Sequence, residues 1–298
     1  MRRLAPFLLS PFFLLPWPGH RAAAPPAPSK LHLEEVGSDS TSYDVIATMI
    51  VGPTELLLWD AQYHVADANR LADRIAATGK KLKAIVLSHP DHDHFAGALI
   101  IVQRFPGTPV YMAPAGLAEY QRTGARFFKG EKNYRPELLA DSIVTVQPLP
   151  TMHLTVDGEA IEVIPDLHGD VEKASNSALW IPSLKTALVA DIAFNGIHPW
   201  LGASSEASRA GWRAALKQIA ALKPDSVVPG HKREVSAPDT PEVLAFMDRY
   251  LADFDSLRRV EPDGKALAGA MLAKYPDLAV ATLVRASAMM SYRPAQGN

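Results

Sequence analysis

No cysteine occurs among the 298 residues. That absence excludes disulfides, thiolate metal ligands and a cysteine nucleophile, so any metal must be held by imidazole and carboxylate. Charge of one sign is also missing: 30 Lys and Arg stand against 32 Asp and Glu, for a net charge of -2. A balance this near to neutral gives no electrostatic footing for nucleic acid or an anionic membrane surface. No concentrated basic cluster interrupts it, so a nucleic-acid partner is not expected. Long hydrophobic runs are lacking as well. The longest, Leu4 to Trp17, is broken by Pro6, Pro11 and Pro16. It falls short of the roughly 20 residues a spanning helix needs, so stable membrane insertion is not expected. What remains is ordinary globular material, 48% hydrophobic and long enough for a sizeable core.

The first residues have the layout of an export signal. Arg2 and Arg3 precede the apolar stretch, and Ala22-Ala23-Ala24 supplies small residues of the kind found before a cleavage point. Pro25 directly after them is unfavourable for cleavage, and a disordered leader is the other reading. Residues 1–30 are thus expected to be a signal peptide with a Pro/Ala-rich stub, and the protein to be periplasmic or secreted, with a cytoplasmic location as the alternative. Residues 31–298 form the expected functional domain, ending in a helical extension from about residue 240.

Beyond the stub, short β-rich runs alternate with helical ones. Val45–Val51 and Leu56–Trp59 read as strands around the turn signal Gly52-Pro53. Val65–Ala77 reads as an amphipathic helix stopped by Gly79. Strands are expected at Lys83–Leu87, Pro109–Met112, Ile143–Val146, Ile161–Ile164, Ala178–Ile181, Thr186–Val189 and Ser226–Val228. Helices are expected at Ala96–Phe105, Glu206–Leu222, Pro241–Leu257, Lys265–Lys274 and Ala279–Met290, the second carrying Trp212, Leu216 and Ile219 on one face. Interleaving of this kind argues for an α/β fold with sheets covered by helices. The segment Ala113–Pro150 is less regular and reads either as a surface insertion or as a wall over a site.

The densest chemistry lies in Ser88-His89-Pro90-Asp91-His92-Asp93-His94-Phe95-Ala96-Gly97. Five metal-ligating side chains crowd into six positions directly after an apolar strand. Such density is costly in a packed interior unless a cation neutralises it. Three later positions share the context of an apolar strand running into a ligand: His168 after Ile161–Ile164, Asp191 after Thr186–Val189, and His231 after Val227-Val228. Taken singly, each has a plainer reading as a hydrogen-bonded strand end, cap or turn residue. Together with the cluster they supply the further ligands it requires, at the sheet ends where α/β folds place their sites.

Ser88–Gly97, Asp191 in Val-Ala-Asp and His231 in Pro-Gly-His resemble, in order and spacing, the motifs of the metallo-β-lactamase-fold hydrolases. The resemblance spans about residues 43 to 235 and implies a four-layer αββα sandwich. Carried over residue by residue, it implies one metal site of His89, Asp91 and His168 and a second of Asp93, His94 and His231. Asp191 is then the bridging carboxylate of glyoxalase II-like members. Asp91 departs from the family, which usually has His there. Flavodiiron relatives carry Glu, so two zinc ions are expected while iron and manganese stay open. A frame-shifted set using His92 is the alternative. His168 also lacks the usual Gly-His-Thr setting, and Asp170 beside it is a candidate supporting partner or spare ligand.

The implied reaction is hydrolysis, with water activated on the metals attacking an ester, lactone or cyclic amide carbonyl of a small-molecule substrate. Asp93 is the expected catalytic group, steering the proton as well as binding metal, and His92 is a candidate proton donor. Trp59, Tyr63, His64, Phe127, Phe128, Tyr134, Phe194, His198 and Trp200 are candidate pocket residues, suggesting an apolar or ring-bearing substrate. An iron-dependent redox enzyme and a non-catalytic metal-binding protein on the same scaffold are the other readings, because one fold hosts many reactions.

Overall fold

The computed structural model describes residues 28–292; the candidate export signal and most of the stub lie outside the described residues. In chain order the elements are β1 (His32–Gly37), β2 (Ile46–Val51), β3 (Glu55–Trp59), α1 (Val65–Thr78), β4 (Lys81–Leu87), α2 (His92–Phe95), α3 (Ala98–Arg104) and β5 (Val110–Met112). There follow α4 (Pro114–Glu119), a π-helical turn, α5 (Ala125–Tyr134), β6 (Gln147–Pro148), β7 (His153–Val156), β8 (Glu159–Leu167), β9 (Asn176–Ile181) and β10 (Thr186–Asn195). The chain closes with α6 (Glu206–Ala221), β11 (Ser226–Lys232), α7 (Glu242–Val260), α8 (Gly264–Lys274) and α9 (Ala281–Met290).

Two sheets form, ordered β1-β2-β3-β4-β5-β6 and β11-β10-β9-β8-β7. Period-two alternation decides how they stack. In β2, Ile46 and Ile50 face the second sheet while Ala47, Met49 and Val51 face the helices. Leu57 and Trp59 of β3, Val86 of β4, Ile161 and Val163 of β8 and Leu188 of β10 fill the same space between the sheets. On the outer faces, Leu71 and Ile75 of α1 and Ile101 of α3 cover the first sheet. Trp212, Leu216 and Ile219 of α6, with Met247 and Leu251 of α7, cover the second. The result is the four-layer αββα sandwich. Strands buried on both faces explain why β2, β3 and β4 read as nearly unbroken apolar runs. Among the described residues, no helix is long and apolar enough to cross a membrane.

Several elements differ from the sequence reading. Ile143–Val146 is irregular, and only Gln147–Pro148 pairs with β5. The Tyr120 hydroxyl donates to the Val144 carbonyl at 2.7 Å, engaging that group outside any ladder. The helix expected over Ala96–Phe105 is shortened to α3, Ala98–Arg104, and a separate short helix, α2, precedes it over His92–Phe95, with the break at Ala96-Gly97. Gly97 donates to the Gln62 carbonyl at 2.9 Å there, and an added Cβ would lie 2.2 Å from the Ala61 carbonyl oxygen. β1 and β7 were not expected; both are edge-proximal and carry polar residues that blur the strand pattern. β10 and β11 run on through Asp191 and His231 rather than ending before them.

Candidate metal centre

All the ligand candidates but one converge at one end of the sandwich, where the two sheets meet. β3 delivers Asp60, β4 delivers Ser88 to His94, β10 delivers Asp191 and β11 delivers His231. The loop after β8 brings Asp170, which is fully buried. The backbone supporting these groups is unusually strained. Tyr43, Asp60, Gln62 and Ala190 all have φ between 44° and 71°, and β10 slips register on either side of Ala190. Non-glycine residues pay for such conformations, and they persist where surrounding structure holds them. Gly230 is needed for a related reason: a Cβ at that position would lie 2.3 Å from Asp191 Oδ1.

The hydrogen bonds fix which nitrogen of each imidazole faces the centre. His231 Nδ1 is 2.7 Å from the Tyr43 carbonyl, which only accepts, so Nδ1 carries the proton. His94 Nδ1–H donates to Asp60 Oδ2 at 2.9 Å. The Ser88 hydroxyl donates to the same carboxylate at 2.9 Å and therefore accepts from His89 Nδ1–H at 2.8 Å. All three Nε2 atoms are left directed inward, free to take a cation, whether a metal ion or a proton. His94 Nε2 and His231 Nε2 face one another at 3.3 Å, an arrangement that two neutral rings do not favour without a cation between them. His89 Nε2, Asp170 Oδ2 and Asp191 Oδ1 are buried with no hydrogen-bond partner. Buried polar atoms are rarely left so, and three aimed at one place fit a coordinated cation.

Three groups of ligand atoms each gather within 4.8 Å: His89, Asp91 and Asp170; Asp93, His94 and His231; and His89, His94 and Asp191. Asp191 reaches across the cluster, 3.9 Å from His89 Nε2, 2.9 Å from His94 Nε2 and 3.2 Å from His231 Nε2. Asp93 lies 3.4 Å from His231 Nε2. The electrostatics agree with the geometry. Burial alone would lower the pKa of His94, but Asp191, Asp93 and Asp60 prevail and hold it well above the imidazole range. Burial, together with the charges of Asp191 and Asp91, raises Asp170 well above the carboxylate range. The centre is thus short of positive charge, as the donor set of a metal site should be.

His168 is the exception. It is absent from every ligand group, and its ring packs against α6, where a Cβ on Gly211 would lie 2.4 Å from His168 Cδ2. Asp170, two residues on, stands beside His89 at 3.8 Å instead. His92 groups only with its neighbours Asp91 and Asp93. Its ring meets Tyr63 edge-on, with centroids 4.9 Å apart. Burial acts against its charge, but the bond to Asp91 prevails and raises His92 to about 9.

A cavity of about 470 Å³ opens onto the cluster. Of the aromatic candidates, Phe127, Phe194 and Trp200 line it. Trp59 lies between the sheets, Phe128 in the first outer core and His198 against Tyr250, while Tyr134 points into solvent at 79% exposure. Tyr63 and His64 are buried in polar contacts with Glu131 and Ser42. Phe127 and Glu131 come from α5, so this part of Ala113–Pro150 contributes to the wall of the site. Sequence reasoning missed Asp60, the Tyr43 carbonyl, Glu131, Leu283 and Met290. Asp60 alone left a signal: like Asp191, it comes directly after an apolar run in the sequence.

The family model of the metallo-beta-lactamase superfamily matches residues 43–231, well over half of the chain. No curated protein matches the sequence. Among solved structures, a metallo-beta-lactamase family protein from Thermus thermophilus is similar, with a TM-score of 0.63 at 18% identity, covering 88% of this chain and 90% of that one. The DIM-1 metallo-beta-lactamase exposed to ceftazidime gives 0.54 at 16% identity, covering 76% and 95%. The FIM-1 metallo-beta-lactamase from Pseudomonas aeruginosa, in a mono-zinc form, gives 0.53 at 12% identity, covering 74% and 90%. At these identities the likeness is one of fold, and the match that names the family is the one spanning the ligand motifs: the chain belongs to the metallo-beta-lactamase superfamily.

Proposed function

We propose that the protein is a metal-dependent hydrolase of an ester, lactone or cyclic amide carbonyl in a small molecule. The observation that carries the reading is the convergence of three inward-facing Nε2 atoms with buried, unpartnered carboxylate oxygens at the mouth of a cavity. His89, Asp91 and Asp170 would hold one divalent ion and Asp93, His94 and His231 the other, with Asp191, grouped with His89 and His94, available to both. When bound, such ions supply an activated water at neutral pH and polarise the substrate carbonyl. Asp93 would bind metal and could also take up the proton released during attack, because it lines the cavity beside His231. Asp60 and Ser88 orient His94 and His89, and the Tyr43 carbonyl orients His231. Phe194, stacked on His231 with ring centroids 4.9 Å apart, shields that side of the centre from water.

Zinc is the leading metal. The carboxylate-rich group around Asp91 and Asp170 specifically favours a second reading, an iron- or manganese-loaded centre, with iron-dependent redox chemistry as the alternative activity. Metal analysis of the purified protein, followed by carbonyl hydrolysis before and after chelation, tests the proposal. Activity should vanish with the metal and return on adding zinc; undiminished hydrolysis by metal-free protein would contradict it. Iron as the native metal together with oxygen consumption would move the assignment to the redox reading.

A further inference from the structure

The cavity has chemistry of its own beyond the ligand cluster. Among the described residues that line it there is no lysine or arginine. Besides the four ligand aspartates it holds a fifth carboxylate, Glu131 of α5, whose Oε2 accepts from the Tyr63 hydroxyl at 2.8 Å. Apart from Tyr43, the ligand His231 and His92, which sits 3.6 Å from Asp91, the rest of the wall is apolar. Phe127 comes from α5, Trp200 from the loop after β10, and Leu283 and Met290 from α9. The two α9 residues lie seven positions apart, on one helical face. They also lie outside the stretch 43–231 that matches the family. Trp200 and Met290 converge over Gly202, where an added Cβ would be 2.4 Å from the Trp200 ring and 2.9 Å from the Met290 sulfur.

We infer that the part of the substrate remote from the reacting carbonyl is apolar and carries no negative charge, being neutral or cationic, and that α9 and α5 make this selection. The inference rests on the hydrolase reading for which end reacts. Two divalent ions would neutralise the ligand aspartates without leaving a surplus of positive charge for a second anion. A remote carboxylate or phosphate would enter a partly desolvated cavity and meet Glu131, with no lysine or arginine among the described lining residues to pair with, while His92 is already engaged by Asp91 at 3.6 Å. Like charges a few ångströms apart in such a setting weaken binding by about tenfold or more. An apolar chain or ring gains contact with Phe127, Trp200, Leu283 and Met290 instead. Among the proposed carbonyl classes, a neutral ester or lactone fits these walls. A penicillin- or cephalosporin-type β-lactam, which bears a free carboxylate, does not.

Calorimetric titration of the metal-loaded protein with three eight-carbon amphiphiles, each below its micelle concentration, tests this. Octyl glucoside and octyltrimethylammonium should bind, and octyl sulfate should bind at least about tenfold more weakly. Met290→Lys should tighten octyl sulfate and weaken octyltrimethylammonium, each several-fold. Leu283→Arg offers the same reversal if the first variant folds poorly. Octyl sulfate binding as well as the other two would overturn the inference, and so would no binding by any of them. The same preparations assayed on a neutral aryl ester separate the two readings. Absent turnover with the charge preference intact breaks the hydrolase proposal alone, whereas turnover without that preference breaks this inference alone.

Discussion

Replacing Asp60 with asparagine probes the centre without removing a ligand. The Asp60 carboxylate accepts three hydrogen bonds: from the Ser88 amide at 2.8 Å, the Ser88 hydroxyl at 2.9 Å and His94 Nδ1–H at 2.9 Å. Asparagine keeps the size and tolerates the left-handed backbone that Asp60 adopts at φ 61°. It has only one acceptor oxygen. With that oxygen toward Ser88 Oγ and His94, its NH2 group meets the Ser88 amide and strands one buried N–H, costing about 1–3 kcal/mol of stability. The bond from His94 survives but loses its charged acceptor. Outer partners of this kind are worth about 10- to 100-fold in metal affinity. That range corresponds to about 1.4–2.7 kcal/mol. Urea unfolding of metal-free protein reads the first effect, and chelator competition reads the second. A folded Asp60→Asn protein whose metal Kd stays within twofold of the parent would refute the claim that Asp60 sets the His94 ring for coordination.

Particular contacts give three further predictions. Asp170→Ala should lower the bound metal by about one ion per chain, whereas His168→Ala should leave metal content unchanged and cost only stability, because His168 packs on Gly211; the reverse result by elemental analysis would restore His168 as the ligand. Gly230→Ala adds no charge and removes no ligand, yet its Cβ would press on Asp191 Oδ1. Metal affinity should fall at least about tenfold, and retention of full affinity would mean that Asp191 need not sit where it does. Glu35 is raised to about 7, first by burial and then by its bond to Asp239, so the folded state binds more protons than the unfolded state between about pH 4.5 and 7. Its contribution to stability therefore falls as pH rises through that window. Glu35→Gln should remove this slope, so that its stability relative to the parent rises by up to about 2–3 kcal/mol; parallel stability–pH curves would be the contrary result.

The architecture was legible because β2, β3, β4 and β10 are apolar on both faces and α1 and α6 keep a helical stripe. What failed to show was local. Ile143–Val146 has strand composition, yet part of its hydrogen bonding is met outside a ladder. His89, Asp91, Asp93, His94, Asp191 and His231 were visible because spacing and strand context coincide. His168 and Asp170 share that context and lie two residues apart, so side-chain type alone did not separate them. A register shift in β8 between Ile164 and Leu167, with Asp166 at φ 59°, breaks the alternation just before them. The loop then turns His168 toward α6 and Asp170 toward His89. The pocket wall was the least legible part. Leu283 and Met290 follow the ligand motifs by some distance in sequence and read simply as positions on one more amphipathic helix.

The most direct test is elemental analysis of the purified protein beside its Asp191→Ala variant. The account predicts two divalent metal ions per chain in the parent and a loss of at least one in the variant, with carbonyl hydrolysis falling in step. A parent that folds without metal and binds none under titration, or an Asp191→Ala protein that keeps both ions, would contradict the assignment of this cluster as a two-metal centre.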